Sequence, residues 1–174
     1  MSVFETERLV MRPWREDDAE NLYKYASDPE VGPAAGWPVH TSVGDSLRVL
    51  REVLIEDKTW AVTIKPSDEP VGSIGAFPTD ASGADGEPEI GYWIGRPYWG
   101  NGYIPEAVCA LIGRCFDEGA ENVWCSHFVG NDKSRRVIEK CGFRYVMTQP
   151  WQPTPEDTRD ALYYKITRKE WEHD

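Results

Sequence analysis

The chain has 174 residues, a length that one folded domain usually occupies and that can bury a sizeable core. Hydrophobic residues make up 40% of it, and 8 Trp, 8 Tyr and 5 Phe indicate a folded protein rather than a disordered chain. The formal net charge of −11 disfavours a nucleic acid partner, because phosphates are bound by basic surfaces. The same charge suits a cationic amine, although most of the carboxylates can equally serve solubility alone.

Neither a membrane segment nor a secretory signal is evident in the sequence. No apolar stretch approaches the length of a membrane span, and the N-terminal residues lack an apolar run. We therefore expect a cytoplasmic protein without a membrane partner. The cysteines show no C-x-x-C pairing, and three of them fall at apolar positions of predicted elements. We expect reduced core cysteines and neither disulfides nor a metal site at these positions: Cys109, Cys115, Cys125 and Cys141.

The first half of the chain predicts short strands and helices. Periodicity and capping residues predict, in order, a strand at 8–12, a helix from Asp17 to Ala26, a Gly- and Pro-broken loop at 32–40, a helix from about Ser42, and a hairpin of strands at 60–64 and 71–77. Residues 79–88 are small, acidic and contain glycine, which predicts an exposed, mobile connection.

Residues 89–116 predict a strand, a glycine turn and a helix. Apolar residues alternate over 90–94 as in a strand, and the segment 96–102 then interrupts the pattern. From Pro105, which we place as the first helical residue, apolar residues recur on one helix face until Gly119 ends the helix.

The remaining residues complete a mixed α/β architecture. The predicted elements are a strand at 122–129, a helix from Asn131 to Gly142, closing strands at 143–147 and 161–166 around a proline-rich segment at 149–157, and a short helix that Thr167 opens. Strands interleaved with helices indicate a single sheet. The sequence contains no repeat and no linker, so we expect one domain over residues 1–174.

The glycine turn has two interpretations. Gly100 and Gly102 would let backbone amides at a helix N-terminus approach an anion without any lysine. The alternative is an ordinary strand-to-helix turn. A P-loop is excluded because no Gly-Lys-Ser/Thr follows, and a dinucleotide fingerprint is excluded because Ile104 and Pro105 stand in place of its third glycine.

A second segment decides between them. It reads Asn131-Asp-Lys-Ser134-Arg-Arg-Val-Ile-Glu-Lys-Cys-Gly142-Phe143, and together with the glycine turn it resembles the GNAT superfamily of acetyl-CoA-dependent N-acetyltransferases. The opening residues 6–13, with Asp17-Asp18-Ala19 and residues 27–31, are similar to the branch of ribosomal-protein N-alpha-acetyltransferases of the RimJ/RimL type. The resemblance covers nearly the whole chain.

The resemblance implies an α/β (α+β) fold of the GNAT-like acyl-CoA N-acyltransferase type. This fold has one mixed, mostly antiparallel sheet with splayed central strands flanked by helices. The splayed strands would be 89–94 and 122–129, with Gly91 as a bulge that helps them part. The implied activity is transfer of an acetyl group from acetyl-CoA, as co-substrate, to a primary amine by direct attack and without a metal.

The implied reaction needs a base for the amine, a donor to the thioester oxygen and a proton for the departing thiolate. Glu89 matches the position of the base in many family members, and its alternative role is that of an exposed strand-edge glutamate. His127 is a second candidate base, or else a packed histidine. The resemblance gives the thioester oxygen a backbone N–H near Trp93 or Ile94.

Two positions depart from the family pattern. The tyrosine that many members use to protonate the thiolate is replaced by Ile138, so Ser134 becomes the candidate acid unless it only caps its helix. Pro97 stands where Arg or Gln is usual, which weakens the local charge. The cations that either compensate at the CoA phosphates or remain surface charges are Arg96, Lys133, Arg135 and Arg136. The implied acetyl-CoA-binding residues are Trp93, Ile94, Gly100, Asn101, Gly102, Tyr103, Ile104, Asn131 and Ser134.

We expect the irregular segments to select the acceptor. The candidate acceptor-binding residues are Trp37, His40, Glu87, His127 and Trp151, the last beside Glu156 and Asp157. The alternative is that these aromatic residues pack against their neighbours. A protein or peptide N-terminal α-amine is the leading acceptor, and a polyamine, aminoglycoside or amino acid is the alternative. A non-catalytic acyl-CoA-binding module is the rival from another class, and we expect a monomer or a homodimer.

Overall fold

The structure, a computed structural model, describes residues 2–55 and 59–173. The strands are β1 (Phe4–Glu5), β2 (Leu9–Pro13), β3 (Thr59–Ile64), β4 (Pro70–Pro78), β5 (Pro88–Ile94), β6 (Asn122–Phe128), β7 (Arg144–Thr154) and β8 (Asp157–Thr167). The α-helices are α1 (Ala19–Ala26), α2 (Gly32–Ala35), α3 (Val43–Val49), α4 (Tyr103–Asp117), α5 (Asp132–Lys140) and α6 (Arg168–Trp171). Glu16–Asp18 and Arg96–Tyr98 form 3-10 turns, and Leu50–Leu54 extends α3 as a π-helical turn.

The described strands form one sheet in the order β1-β2-β3-β4-β5-β6-β8-β7. The pairs β1–β2, β2–β3, β3–β4, β6–β8 and β7–β8 are antiparallel, whereas β5 and β6 run parallel. This arrangement confirms the predicted mixed, mostly antiparallel sheet. The parallel pair is in register at Glu89 opposite Trp124 and Ile90 opposite Cys125, although β5 continues to Ile94.

The chain forms two compact units. The first comprises Met1–Ala76 and Gly91–Ala110, and the second comprises Phe77–Ile90 and Leu111–Asp174. Strands β4 and β5 and helix α4 each contribute residues to both units. Among the described helices, none combines the length and the apolar character that crossing a membrane requires.

The core of the first unit forms where helices α1 and α3 cover the sheet. The apolar face of α1 buries Leu22 and Ala26, and the helical segment after α3 buries Leu50. Trp37 and Trp93 pack against this cluster and complete it with aromatic surface. The buried members of the cluster are Trp14, Ala19, Leu22, Ala26, Leu50 and Ala61.

The opening segment is held to the first unit by a buried ion pair. The Arg12 guanidinium donates through Nη1 and Nη2 to both oxygens of Asp18, at 2.9 and 2.8 Å, and its Nε donates to Asp68 at 2.7 Å. Both Arg12 and Asp18 are buried, which makes each charge depend on its partner. Part of the segment that carries the family resemblance is therefore structural.

Two segments that were predicted to be irregular contain regular structure. Residues 32–35 form the short helix α2, with Pro33 in its first turn and Gly36 in the left-handed region at its end, although the segment was expected to lack regular structure. The proline-rich segment at 149–157 is also regular, because β7 runs to Thr154 and β8 begins at Asp157. Because β7 is an edge strand, it pairs with β8 on one side only, and edge strands are where sheets accommodate prolines.

The connection between β4 and β5 is only in part the exposed segment that its composition predicts, since Asp80, Ser82, Gly83, Asp85 and Gly86 are exposed. Thr79, Ala81 and Ala84 are buried, and the two alanines pack with Trp124 and Tyr163 in the core of the second unit. Backbone hydrogen bonds close the segment internally, including Thr79 N–H to the Glu87 carbonyl at 2.8 Å. Small side chains were needed here for close packing and not only for flexibility.

Gly72 sets how closely β4 approaches β5 within the first unit. A Cβ added there would lie 2.4 Å from the carbonyl oxygen of Trp93 and 3.0 Å from the Cα of Ile94. Because backbone atoms cannot move aside as a flexible side chain can, we predict that Gly72→Ala lowers the free energy of unfolding by roughly 1–3 kcal/mol. Denaturant unfolding measures the change.

Gly44, in α3, is the matched control in the same unit. An added Cβ there would meet only Ser42 Oγ at 3.6 Å, which is ordinary contact. Gly44→Ala should be neutral or stabilising, since alanine favours helix. Equal stability of the two variants would contradict the close approach of β4 and β5.

Candidate active site

In the first unit, the glycine turn leads from β5 into α4. Gly100 and Gly102 have φ angles of 77° and 76°, a region that favours glycine. The Asn101 side chain donates to the carbonyls of Tyr98 and Trp99, at 3.1 and 3.2 Å, which fixes the preceding bend. The helix begins at Tyr103, so Pro105 is its third residue. The prediction that Pro105 is the first helical residue is therefore wrong.

The amides of this turn lie at the start of a 15-residue helix. The hydrogen bond from Glu106 N–H to the Gly102 carbonyl, at 3.3 Å, is of the i to i−4 type. The amides of Tyr103 and Ile104 precede it, in the part of a helix that lacks intrahelical acceptors and carries its positive dipole end. A Cβ on Gly100 would meet no atom within 4 Å, so the surface over this residue has room for a ligand. The turn therefore fits a bound anion.

The residues predicted to flank the thioester lie at the end of β5. Trp93 is partly buried and stacks with Trp14, their ring centroids 6.3 Å apart at an interplanar angle of 22°. Ile94 is buried, and its carbonyl accepts a hydrogen bond from Trp99 Nε1 at 2.9 Å. Next along the chain, Gly95 N–H donates to the Val71 carbonyl at 2.8 Å. The backbone of this part of β5 is thus held on several sides.

Trp37 and His40, the acceptor-binding candidates of the first unit, are neighbours. Trp37 meets the Trp93 ring edge-on at 5.6 Å and lies 5.2 Å from the His40 ring. His40 is buried, and its Nδ1 is hydrogen-bonded to Ser46 Oγ at 2.8 Å. Burial lowers the pKa of His40, an effect that the carboxylate of Asp45 opposes. His40 is therefore a packed, neutral histidine at physiological pH.

Glu89 carries the most unusual carboxyl environment of the second unit. Ser126 Oγ donates to its Oε1 at 2.5 Å, and Thr79 Oγ1 donates to its Oε2 at 2.6 Å. Burial raises the pKa of Glu89, the two hydroxyl donors oppose that rise, and nearby Asp80 adds to it. Such a group takes up and releases a proton closer to neutral pH than an exposed glutamate does.

Glu87, the other acidic candidate beside β5, is already engaged by β6. Asn122 Nδ2 and Trp124 Nε1 each donate to one of its carboxylate oxygens at 2.5 Å. Asp80 is similarly bonded, since the Tyr163 hydroxyl donates to its Oδ1 at 2.5 Å. These contacts fix the connection between β4 and β5 against the sheet and so position Glu89.

His127 lies on the other face of β6 from Ser126, because successive strand residues point to opposite faces. Its Nδ1 is 2.8 Å from the Phe128 carbonyl, and its Nε2 is 3.1 Å from the Tyr164 hydroxyl. A carbonyl can only accept, so Nδ1 donates to Phe128, whereas the Tyr164 hydroxyl can either donate to Nε2 or accept from it. The side chain is buried, as in the packed alternative for this residue.

Asn131 is the N-cap of α5, as its place in the motif predicts. Its side-chain oxygen accepts a hydrogen bond from Ser134 N–H at 3.1 Å, which places Ser134 in the first turn of the helix. Ile138, at the position of the family tyrosine, is fully buried. The aliphatic side chain of Ile138 cannot supply a proton. Ser134, near the N-terminus of α5, carries a hydroxyl that can.

Trp151 belongs to a cation and aromatic cluster on the long β7–β8 hairpin. Its ring lies 4.9 Å from the Phe128 ring, and the Arg159 guanidinium covers Phe128 at 4.8 Å. Asp157 holds that guanidinium through two hydrogen bonds, at 2.9 and 2.8 Å. Trp151 thus contacts its own chain, and it remains partly exposed.

Two of the cations proposed for the CoA phosphates are paired with carboxylates. Arg96 contacts Asp28 at 2.9 Å and Glu30 at 2.5 Å, and Arg135 contacts Glu139 at 2.9 Å. The Arg96–Glu30 and Arg135–Glu139 pairs are exposed and hold their side chains only weakly, whereas Asp28 is partly buried. Among the described residues, no group of three or more His, Cys, Asp or Glu side chains is placed to hold a metal ion.

The sequence was compared with known families and structures. The family described as "Acetyltransferase (GNAT) domain" matches residues 8–144. The chain belongs to the GNAT acetyltransferase family. It is accordingly an acetyl-CoA-dependent N-acetyltransferase. A curated relative named "Uncharacterized N-acetyltransferase p20", from Bacillus licheniformis, is 34% identical over 121 residues, which cover 67% of each chain.

A solved structure supports the same fold. The GNAT-family acetyltransferase from Bacillus anthracis superposes with a TM-score of 0.84 over 97% of this chain and 99% of that one, at 24% identity. Similarity at this level of identity shows the fold alone.

Two other relatives differ in the acceptor that their names state. "Putative ribosomal N-acetyltransferase YdaF" from Bacillus subtilis is 37% identical over 86 residues, 48% of this chain and 47% of its own. "FsC-acetyl coenzyme A-N(2)-transacetylase" from Aspergillus fumigatus is 27% identical over 169 residues, 92% of this chain and 62% of its own. The relatives therefore do not determine the acceptor.

Sequence reasoning missed Thr79 and Ser126, the partners of Glu89. Ser126 had a readable signal, because it shares a face of β6 with Trp124, which lies opposite Glu89 in the parallel pair. Thr79 had none, since its placement depends on how the connection after β4 folds back. Both are short hydroxyl side chains whose role becomes visible only through their contact with Glu89 in the structure.

Removing one hydroxyl donor should change the proton affinity of Glu89. In Ser126→Ala the carboxylate loses a hydrogen bond that favours its charged form, while burial persists. We predict that the pKa of Glu89 then rises further above that of an ordinary glutamate. A carbon-13 NMR titration of the Glu89 carboxyl measures it, with Ser82→Ala on the same unit as control, since Ser82 bonds to Gln149 instead. An unchanged Glu89 titration in Ser126→Ala would contradict this assignment.

Proposed function

We propose that the protein transfers the acetyl group of acetyl-CoA to a protein or peptide N-terminal α-amine, with Glu89 as the base. The observation that carries this proposal is the partly buried Glu89 carboxylate between two hydroxyl donors, with its pKa raised by burial. A general base works best when its pKa lies near the operating pH, because it must be ionised and still take a proton. Glu89 accepts the amine proton, directly or through one water.

The turn in the first unit supplies the co-substrate site in this proposal. The residues assigned to acetyl-CoA in the first unit are Trp93, Ile94, Gly100, Asn101, Gly102, Tyr103 and Ile104. The amides at the start of α4 bind the pyrophosphate, since a helix N-terminus and two glycines accommodate an anion at close range. A backbone N–H near Trp93 or Ile94 donates to the thioester oxygen and stabilises the charge that develops there.

In the second unit, the residues assigned to acetyl-CoA are Asn131 and Ser134. When bound, the thioester supplies an electrophilic carbonyl carbon. The amine nitrogen bonds to that carbon, the carbon–sulfur bond breaks, and the thiolate takes a proton, which yields the acetylated amine and free CoA. Ser134 is the proposed donor of this proton in place of the family tyrosine, because Ile138 has no acidic hydrogen.

A protein or peptide N-terminal α-amine is the proposed acceptor for two reasons. The YdaF relative has a name that states ribosomal N-acetylation, and the opening residues 6–13 resemble the branch that acts on ribosomal proteins. Trp37, His40, Glu87, His127 and Trp151 are the proposed acceptor-binding residues. Those whose charges or rings already contact their own chain, such as Glu87, act by shaping the surface and not by pairing with the amine.

A small amine is the second candidate acceptor. The Aspergillus relative covers 92% of this chain and has a name that states acetylation at an N(2) atom. Release of CoA thiol across a panel of short peptides and a panel of small amines separates the two. We predict turnover with peptides, at a rate that depends on their first residues. The same peptides with an acetylated α-amine serve as controls and should give no turnover. Turnover confined to small amines would contradict the peptide proposal.

Glu89→Gln tests the base. The amide keeps the shape of the side chain, and hydroxyls can either donate or accept, so Thr79 and Ser126 can still bond to it. We predict that kcat falls by about 100-fold or more while CoA affinity stays nearly the same. Glu118→Gln, which removes an exposed carboxylate of the same unit that pairs with Arg114 at 3.1 Å, serves as control.

Stability provides a check on this variant. Because the pKa of Glu89 is raised in the folded protein, the protonated form is favoured by folding, and this stabilisation is lost as pH rises through the folded-state pKa. At neutral pH, Glu89→Gln should therefore unfold no more easily than the parent chain. Full turnover in this well-folded variant would exclude Glu89 as the base.

A further inference from the structure

Arg8, at the approach to β2, contacts the glycine turn and the first turn of α4. Its Nη1 donates to the Asn101 carbonyl at 3.0 Å, and its Nε donates to Glu106 Oε2 at 2.6 Å. Its guanidinium also covers the Tyr103 ring at 4.6 Å. One side chain therefore contacts three consecutive parts of the segment that begins α4, all within the first unit.

Glu106 makes this arrangement rigid. Its Oε1 accepts from Thr6 Oγ1 at 2.5 Å and from Arg8 N–H at 2.9 Å, in addition to the Arg8 side chain on Oε2. Burial opposes ionisation of Glu106, but the hydrogen bonds from Thr6 and Arg8 outweigh it and lower its pKa. The guanidinium is thus held by backbone, hydroxyl and carboxylate contacts and is not a loose surface charge.

The contact with Asn101 has a consequence for the next amide. The carbonyl of Asn101 and the N–H of Gly102 belong to one planar peptide group and point in opposite directions. When Arg8 holds that carbonyl, it also fixes the direction of the Gly102 N–H. Gly102 has a φ angle of 76° and no Cβ, so its own sterics restrain this peptide plane only weakly and the Arg8 contact adds restraint.

The guanidinium also places positive charge next to the turn. A Cβ on Gly102 would lie 3.4 Å from Arg8 Nη2, so this nitrogen flanks the glycine directly. The Arg8 side chain is 43% exposed, which leaves it accessible to a ligand. Pro97 stands where the family usually carries Arg or Gln, and Arg96 is paired with Asp28 and Glu30.

We propose that Arg8 is a positioning residue for the co-substrate: it orients the Gly102 amide toward the pyrophosphate of acetyl-CoA and supplies the charge that Pro97 cannot. This inference rests on the proposed function, in which the turn binds the pyrophosphate. It gives residues 6–8, which precede the strand, a direct part in binding.

The test compares two ligands that differ in the pyrophosphate. Pantetheine carries the thiol arm of CoA without the pyrophosphate and the nucleotide. CoA affinity is measured by calorimetry and pantetheine affinity by NMR titration, which tolerates weak binding. In Arg8→Met we expect CoA affinity to fall by about 10-fold or more, since a charge-assisted contact is lost, while pantetheine affinity stays the same. Arg8→Lys, which keeps the charge without the planar fork, should recover only part of the loss.

Arg51→Met is the matched control, because Arg51 is an exposed arginine of the same unit that pairs with Glu16 at 2.7 Å. It removes the same charge and should leave both affinities unchanged. Equal losses for CoA and pantetheine in both Arg8 variants would show that Arg8 only supports folding and would overturn the inference. A parent protein that binds pantetheine as tightly as CoA would instead overturn the proposed pyrophosphate site itself, and the inference with it.

Discussion

The hydrogen bonds from Thr79 and Ser126 to Glu89 hold a partly buried carboxylate. If the Glu89 carboxylate were buried without hydrogen-bond donors, its charged form would be too costly. If it were fully exposed, it would have the pKa of an ordinary glutamate and be a weaker base. The surrounding structure maintains this balance. The connection after β4 packs Ala81 and Ala84 against Trp124, which brings Thr79 to the carboxylate, and the short parallel pairing of β5 with β6 brings Ser126. The base, the loop and the central strands therefore depend on one another.

The same logic explains much of the acidic composition. Glu87 bonds to Asn122 and Trp124, and Asp18 bonds to Arg12. Glu106, in the first unit, bonds to Thr6 and Arg8. A net charge of −11 suggested a surface for cationic substrates, but these carboxylates fix loops and turns of the protein itself. The contacts of Glu87, Asp18 and Glu106 are therefore structural, whereas the two partners of Glu89 are hydroxyls of the kind that still allow it to exchange a proton.

Local sequence signals predicted the elements that local physics determines. Asn131 caps α5, and Thr167 with Glu170 forms a capping box, because these hydrogen bonds span only three residues. The strand, turn and helix around Gly100 follow from periodicity and glycine. Signals failed where long-range packing decided the outcome: prolines did not break β7, because it lies at the sheet edge, and small residues after β4 were buried. Arg8 could not be connected to Asn101 from the sequence, since 93 residues separate them.

In the proposed reaction, Glu89 takes the proton of the attacking amine. The most direct measurement compares two pKa values in the parent protein: that of the Glu89 carboxyl, titrated by carbon-13 NMR, and that of the acidic limb of kcat/KM, measured with an acceptor of known amine pKa. For the free enzyme both report the same ionisation if Glu89 is the base. We predict that kcat/KM falls as Glu89 becomes protonated, with matching pKa values. A rate that stays constant while Glu89 titrates would contradict it.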